Sequence, residues 1–153
     1  MSKLQIFLQV FRNLEGRVKY LLGAKIDIGR DSADPTIRRT DCSGYARFSF
    51  VKMGFKNVPD GSQNQLAWFE ASGWHRLKKY SDVRYAAKDA DRLFIAFMKP
   101  KFIGRRQIAS GHVFFVYKGR TMESYYGRSV GSRPWNTLVL RTRACACYEV
   151  PLD

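Results

Sequence analysis

The hydrophobic and polar positions in the first half of the chain follow the pattern of helices. Apolar residues recur close to the i, i+3, i+4 spacing of one helical face, at Leu4, Phe7, Leu8, Phe11, Leu14, Val18, Leu21 and Leu22. We therefore predict a helix from residue 4 to about residue 22, ended by Gly23. Asp41-Cys42-Ser43 supplies capping side chains for a second helix to about Met53, and a third is predicted from Ser62 to Ser72.

Short apolar runs in the second half are typical of strands. Residues 93–97 form one run, and Val113 to Tyr117 form a second that leads through a tight turn at 118–120 into a strand to Tyr125. Residues 138–143 alternate between apolar and polar, and 147–150 extend the predicted sheet. Helices followed by antiparallel strands predict an α+β fold, and the length suits a single domain over residues 1–153.

Charge narrows the class of partner. The chain has 27 Lys and Arg against 13 Asp and Glu, a net charge of +14, which attracts polyanions such as nucleic acid, anionic lipid or anionic cell-envelope polymers. The basic residues form short scattered groups, without the Lys/Arg stripe and interleaved aromatics of a groove that tracks nucleic acid. We expect an anionic target other than nucleic acid, with solubility alone as the alternative.

The cysteines number three, which is odd, so at least one thiol should be free. Cys145 and Cys147 are two apart in a predicted strand and would share a face, a poor geometry for bonding each other. We interpret them as packed small residues. Since His75 and His112 are the only histidines, and His75 reads as a surface residue, we expect no metal and no cofactor.

Cys42 and His112 together indicate thiol chemistry. Cys42 falls where a loop becomes a helix, and unpaired N–H groups with the helix dipole stabilise a thiolate or an oxyanion there. His112 opens an apolar strand, a firm platform for a base. Taken alone, Cys42 could instead be a buried structural cysteine, and His112 could be an ordinary polar residue at a strand end. The hairpin after His112 would return Glu123 beside it to orient the imidazole, unless Glu123 is only a solvated strand residue.

These residues resemble a known family. Asp41-Cys42-Ser43-Gly44-Tyr45, then Ser62 to Gln65, then Gly111-His112-Val113 are similar in order and type to the motifs of NlpC-type papain-like cell-wall cysteine peptidases, over residues 14 to 136, with CHAP amidases as relatives. The resemblance implies a papain-like fold with the nucleophile at a helix start, packed on an antiparallel sheet carrying the histidine.

The resemblance also implies roles for individual residues. Cys42 would be the nucleophile and His112 the base, while Asp41, Ser43 and Gly111 would line the substrate subsite. The sequence departs from the family at three positions, where Ile26 replaces a tyrosine, Arg30 replaces a glycine, and Glu123 stands where histidine is common.

The implied activity is hydrolysis of an amide bond in the peptidoglycan stem peptide, most often between D-Glu and a diamino acid. An N-acetylmuramoyl-L-alanine amidase is the alternative within the class, and a basic structural or nucleic-acid-binding protein is the alternative outside it.

The first residues lack a cleavage pattern, and no apolar run is long enough for a membrane span. We therefore expect synthesis in the cytoplasm and delivery to the cell wall or periplasm by a phage particle, a holin or a secretion system. An immunity protein or a virion component would then be a partner. The segment from Glu123 to Trp135 also looks like small hydrolases carried by phage particles.

Overall fold

The computed structural model describes residues 1–78, 82, 85–109, 111–135 and 144–153. The helices are α1 Lys3–Leu14, α2 Cys42–Lys52 and α3 Ser62–Ala71. The strands are β1 Lys19–Tyr20, β2 Arg39–Thr40, β3 Arg76–Leu77, β4 Phe94–Met98, β5 Lys101–Ile103, β6 Arg106–Ala109, β7 His112–Tyr117, β8 Arg120–Met122 and β9 Ala144–Glu149. The predicted α+β class is therefore confirmed, whereas the predicted strand at 138–143 lies outside the described residues.

The main sheet has five strands in the order β3-β9-β4-β7-β8, and all of its pairs are antiparallel. Its central strand β4 and its neighbour β7 are buried along their whole length, as their continuous apolar sequences require. Lys118 and Gly119 turn the chain between β7 and β8, with φ values of 51° and 73°. Both residues lie in the left-handed region, which suits a two-residue hairpin turn. This turn fixes the register that carries the chain back toward the start of β7.

Aromatic packing fixes the helices on β7. The ring of Phe115 lies 4.5 Å from that of Phe7, 5.9 Å from that of Tyr45 and 5.0 Å from that of Phe50, measured between centroids. These contacts join α1 and α2 to the same strand. Because buried aromatic side chains contribute several kcal/mol each, we take this cluster as the main determinant of how α2 lies on the sheet.

The first predicted helix is wrong beyond Leu14. α1 stops there, and Gly16 has a φ of 70°. The N–H groups of Gly16 and Tyr20 donate to the carbonyls of Val130 and Arg128, at 2.9 Å each. These two N–H groups therefore have acceptors in a distant part of the chain and not within a continued helix, although the segment keeps apolar residues at helical spacing. Leu22 is accordingly 74% exposed.

The other predicted helices and the strands β4 and β7 are confirmed within one or two residues, and β9 is confirmed but begins at Ala144, three residues before its predicted start. The strand after the turn is shorter than predicted. β8 ends at Met122, and Glu123 instead exchanges two backbone hydrogen bonds with Gly131, at 2.9 and 2.8 Å. The pair β1–β2, the strand β3 and the hairpin β5–β6 had no counterpart in the sequence pattern. None of the helices in the described part of the chain has the length and apolar character that a membrane span needs.

Candidate active site

Cys42 is the first residue of α2, and Asp41 caps the helix before it. The carboxylate of Asp41 accepts the backbone N–H of Gly44 at 2.7 Å, which leaves the helix without an acceptor for the N–H groups of Cys42 and Ser43. The helix start is therefore a local source of unpaired donors and positive dipole. The sequence predicted this cap, and the structure has it.

Lys25 lies against the same carboxylate and was not singled out from the sequence. Its ammonium group donates to both oxygens of Asp41, at 2.7 and 2.6 Å, and to the hydroxyl of Ser43 at 2.8 Å. Asp41 is only 5% exposed, so this ion pair neutralises a nearly buried charge directly beside the candidate nucleophile. The pairing spans sixteen residues of chain and belongs to no motif, so no sequence signal pointed to it.

Gly44 is required by the close approach of backbone rather than by a turn. A Cβ at this position would lie 2.6 Å from the Thr40 hydroxyl oxygen and 3.0 Å from the carbonyl oxygen of Ala24. The same Ala24 carbonyl accepts the N–H of Asp41 at 2.9 Å. Because Gly44 has no side chain, the segment before α2 can pack onto the first turn of α2.

His112 is the first residue of β7 and meets Cys42 across the boundary between helix and sheet. The imidazole lies close enough to the Cys42 thiol for the thiol to raise the His112 pKa, and each residue is 8% exposed. The other ring nitrogen, Nε2, lies 2.7 Å from Oε1 of Glu123, which leaves Nδ1 to face the sulfur. The ring also stacks on Phe114 at 5.3 Å, which restricts its rotation. The structure therefore brings the side chains of Cys42, His112 and Glu123 together.

The buried surroundings set the charge of the imidazole. Burial alone lowers the pKa of His112, but the hydrogen bonds with Cys42 and Glu123 more than offset it and raise the pKa to about 8. Burial likewise acts to raise the pKa of Glu123, while its bonds with His112 and Arg133 lower it overall. Glu123 is thus held as a carboxylate and favours the imidazolium form of His112.

Arg133 holds Glu123 in place and is the second residue that the sequence did not reveal. Its guanidinium donates through Nε to Oε2 and through a terminal nitrogen to Oε1, both at 2.9 Å. Glu123 is fully buried, and a bidentate arginine is a strong way to fix a carboxylate. The guanidinium itself lies 4.5 Å from the centroid of the Tyr125 ring. The one sequence signal for Arg133 was its place in the segment that resembled phage-carried hydrolases.

The remaining predicted site residues lie around this centre. Ser43 follows the nucleophile and is 4% exposed; its backbone carbonyl accepts Nε2 of Gln65 at 2.9 Å, which ties α3 to the start of α2. Gly111 precedes His112 and is half-buried. A Cβ on Gly111 would lie 3.3 Å from the Met98 carbonyl oxygen and 3.4 Å from Nε2 of Gln63. Roles for Asp41, Ser43 and Gly111 in substrate binding stay predictions.

Of the other two cysteines, only Cys147 has a described side chain. Cys147 is free and buried in β9, where burial raises its pKa. The side chain of Cys145 lies outside the described residues. His75 is exposed. Within the described ranges, no three His, Cys, Asp or Glu side chains are grouped so as to hold a metal ion.

Comparisons with known proteins bear on the fold. No protein-family model matches the chain, and no curated protein matches it. Among solved structures, it is similar to a Staphylococcus aureus subsp. aureus Mu50 protein "similar to lipoprotein, NLP/P60 family", with a TM-score of 0.60 and 16% identity over 95% of this chain. The chain spans 40% of the length of that protein. The likeness is one of fold, and it is consistent with an NlpC/P60-like arrangement of helices on an antiparallel sheet.

Proposed function

We propose that this chain is a cysteine hydrolase that cleaves an amide bond in the peptide part of peptidoglycan, with the bond between D-Glu and a diamino acid as the favoured target. The observation that carries the proposal is the meeting of the Cys42 thiol, the His112 imidazole and the buried Glu123 carboxylate, whose Oε1 lies 2.7 Å from Nε2 of the imidazole. The motif resemblance and the NlpC/P60-like fold support the choice of substrate.

The proposed reaction begins with transfer of the Cys42 proton to Nδ1 of His112, which gives a thiolate and an imidazolium. The thiolate attacks the carbonyl carbon of the scissile amide, and the carbonyl oxygen becomes an oxyanion. The backbone N–H of Cys42, unpaired within the helix, is placed to stabilise that charge. His112 then donates its proton to the departing amine as the C–N bond breaks, leaving a thioester on Cys42.

Hydrolysis of the thioester restores the enzyme. His112 accepts a proton from water, the resulting hydroxide attacks the thioester carbon, and the carbon–sulfur bond breaks to release the acid and the thiolate. Throughout the cycle, the Glu123 carboxylate accepts a hydrogen bond from the Nε2–H group and stabilises the cation on the ring. Arg133 acts through Glu123 and is a positioning residue in this scheme.

Turnover of purified sacculi tests the proposal. Cys42→Ala is expected to abolish release of soluble fragments without changing the melting temperature by more than a few degrees. Cys147→Ala is the matched control. It removes a free buried thiol that is not part of the Cys42–His112–Glu123 group, so this variant should retain activity. Full activity in the Cys42 variant would refute the proposal. Mass spectrometry of the fragments identifies the bond, and free muramoyl ends with intact stem peptides would assign the amidase reaction instead.

Selective alkylation separates an enzyme from a basic structural or nucleic-acid-binding protein. At neutral pH, iodoacetamide should modify Cys42 first, since the thiol bonded to His112 has a ready base, whereas burial disfavours the thiolate of Cys147. Peptide mapping after short exposure gives the two rates. Equal and slow modification of both thiols would contradict an activated nucleophile.

Delivery and attraction to the envelope are part of the same proposal. A net charge of +14 favours retention on anionic envelope polymers, so added salt should release the protein from sacculi more than it slows cleavage of a small peptide. Salt-insensitive retention would remove this part. Delivery by a phage particle, a holin or a secretion system, with a virion or immunity partner, is tested by whether the gene product is found in purified virions or in secreted fractions.

A further inference from the structure

A cleft of about 380 Å³ opens beside the nucleophile helix and is rich in positive charge. Four basic residues line it, Lys25, Arg30, Arg38 and Arg39, together with one acidic residue, Asp27. The floor includes the apolar side chains of Ile26 and Ile37, which are both buried. We call this feature the basic cleft. Its size is that of a small-ligand site, enough for a few residues of a peptide.

The wall of the basic cleft is bonded to the residues on either side of Cys42. The N–H of Leu21 donates to the Thr40 carbonyl at 3.1 Å, and the Ala24 carbonyl accepts the N–H of Asp41 at 2.9 Å. Lys25 reaches the hydroxyl of Ser43, the residue after the nucleophile, at 2.8 Å. The basic cleft is therefore joined directly to the residues before and after Cys42.

The charge in the cleft is positive after its own acids are counted. Lys25 forms an ion pair with Asp41, the residue before the nucleophile, so the charges of these two side chains cancel. Arg30 donates to the Thr36 hydroxyl at 2.7 Å and keeps its charge.

Arg38 and Arg39 carry the unmatched charge. Both are exposed, and neither side chain has a hydrogen bond or an ion pair with any residue that the structure describes. Guanidinium groups bind carboxylates in a bidentate manner, which makes two such side chains at the rim a receptor for a carboxylate.

We propose that the basic cleft binds a free carboxylate of the stem peptide, and that Arg38 and Arg39 select substrates whose carboxyl groups are not amidated. This inference rests on the proposed function and adds a specificity to it. Lys25 contributes by neutralising Asp41, so that the charge of Arg38 and Arg39 dominates the cleft.

The test compares two synthetic stem peptides of identical sequence, one with free side-chain and α-carboxyl groups and one with those groups amidated. The wild-type protein is expected to prefer the free acid by roughly tenfold or more in kcat/KM, mostly through KM, since a charged hydrogen bond is lost with the amide. The double variant Arg38→Gln/Arg39→Gln should lose most of that preference, through a higher KM for the free acid.

A matched control removes the same amount of charge elsewhere. Lys56 and Lys88 are both exposed. Lys56 follows the C-terminal end of α2, whereas Cys42 is at the start of that helix. Lys88 is close to the β7–β8 turn, whereas His112 is at the opposite end of β7. Lys56→Gln/Lys88→Gln should keep the preference, which separates a carboxylate site from a general effect of net charge. Thermal melting checks that both double variants fold.

Binding measured with the Cys42→Ala protein keeps this inference distinct from the proposed function. If neither peptide is hydrolysed in a Cys42-dependent way, the proposed function fails, while the ratio of the two dissociation constants still decides the cleft. Equal affinities for the acid and the amide in the Cys42→Ala protein would overturn the carboxylate site. A preference that survives in the Arg38/Arg39 variant would overturn it as well.

Discussion

Replacing Glu123 with glutamine tests how the buried carboxylate controls His112. The change keeps size and shape but removes the negative charge 2.7 Å from Nε2. The His112 pKa of about 8 then loses one of the interactions that raise it, while burial still lowers it and the Cys42 interaction still raises it, so the pKa should fall. At pH 8, a fall of one unit in the His112 pKa would reduce the protonated fraction from one half to about 9%, roughly fivefold.

The assay is the pH dependence of kcat/KM on a soluble stem peptide. In the proposed mechanism the alkaline limb marks loss of the imidazolium proton, so the wild-type limb should lie near pH 8 and the Glu123→Gln limb should move at least one unit to lower pH. Nuclear magnetic resonance titration of the ring follows the same proton without turnover. An unchanged limb, together with an unchanged titration of the ring, would refute the role of Glu123.

The same substitution carries a cost in stability that a control can separate. The new amide nitrogen would face Nε of Arg133, donor against donor, which we expect to destabilise the fold by ~1–3 kcal/mol. Glu149 has a similar bidentate partner in Arg92, at 2.9 and 2.7 Å, but that pair is partly exposed. Glu149→Gln should therefore cost less and leave the pH profile of activity unchanged.

Three further outcomes follow from the geometry. Gly44→Ala should lower the free energy of unfolding by ~1–3 kcal/mol in urea titrations, because a Cβ there would meet backbone at 3.0 Å; Gly29→Ala, with its nearest contact at 3.4 Å, should change little. Stability should fall by about 2 kcal/mol as pH rises from 6.5 past the His112 pKa of about 8, since the raised pKa stabilises the fold only while the ring is protonated; His112→Gln should flatten that slope. Phe115→Ala should cost ~3–5 kcal/mol in the same titrations, and a loss below 1 kcal/mol would contradict the packing of both helices on β7.

The placement of Glu123 was accessible from the sequence because it depends on local rules. A two-residue turn at Lys118 and Gly119 sets the pairing of Phe115 with Met122, and strand alternation then puts Glu123 on the same face as His112. The start of α2 was predictable for the same reason, since the Asp41 cap acts over three residues. The catalytic roles of these residues stay predictions.

The missed features depend on contacts between distant parts of the chain. The end of α1 is set by hydrogen bonds from Gly16 to Val130, more than a hundred residues away. Arg133 and Lys25 pair with carboxylates through side chains alone, and the many other basic residues of the chain gave no reason to choose these two. Hydrophobic periodicity depends only on nearby residues, so it cannot predict pairings between distant side chains.

The site draws its parts from positions far apart in the chain, and this has a consequence for biosynthesis. His112 leaves the ribosome seventy residues after Cys42, and the Ser124 hydroxyl that bonds the Thr40 carbonyl follows later still. Closing a loop of that length costs conformational entropy that only the completed sheet repays. A nascent chain, or one truncated before β7, therefore carries the thiol without its base. Chemistry that needs both side chains, as in the proposed mechanism, would therefore be absent until translation has passed β7.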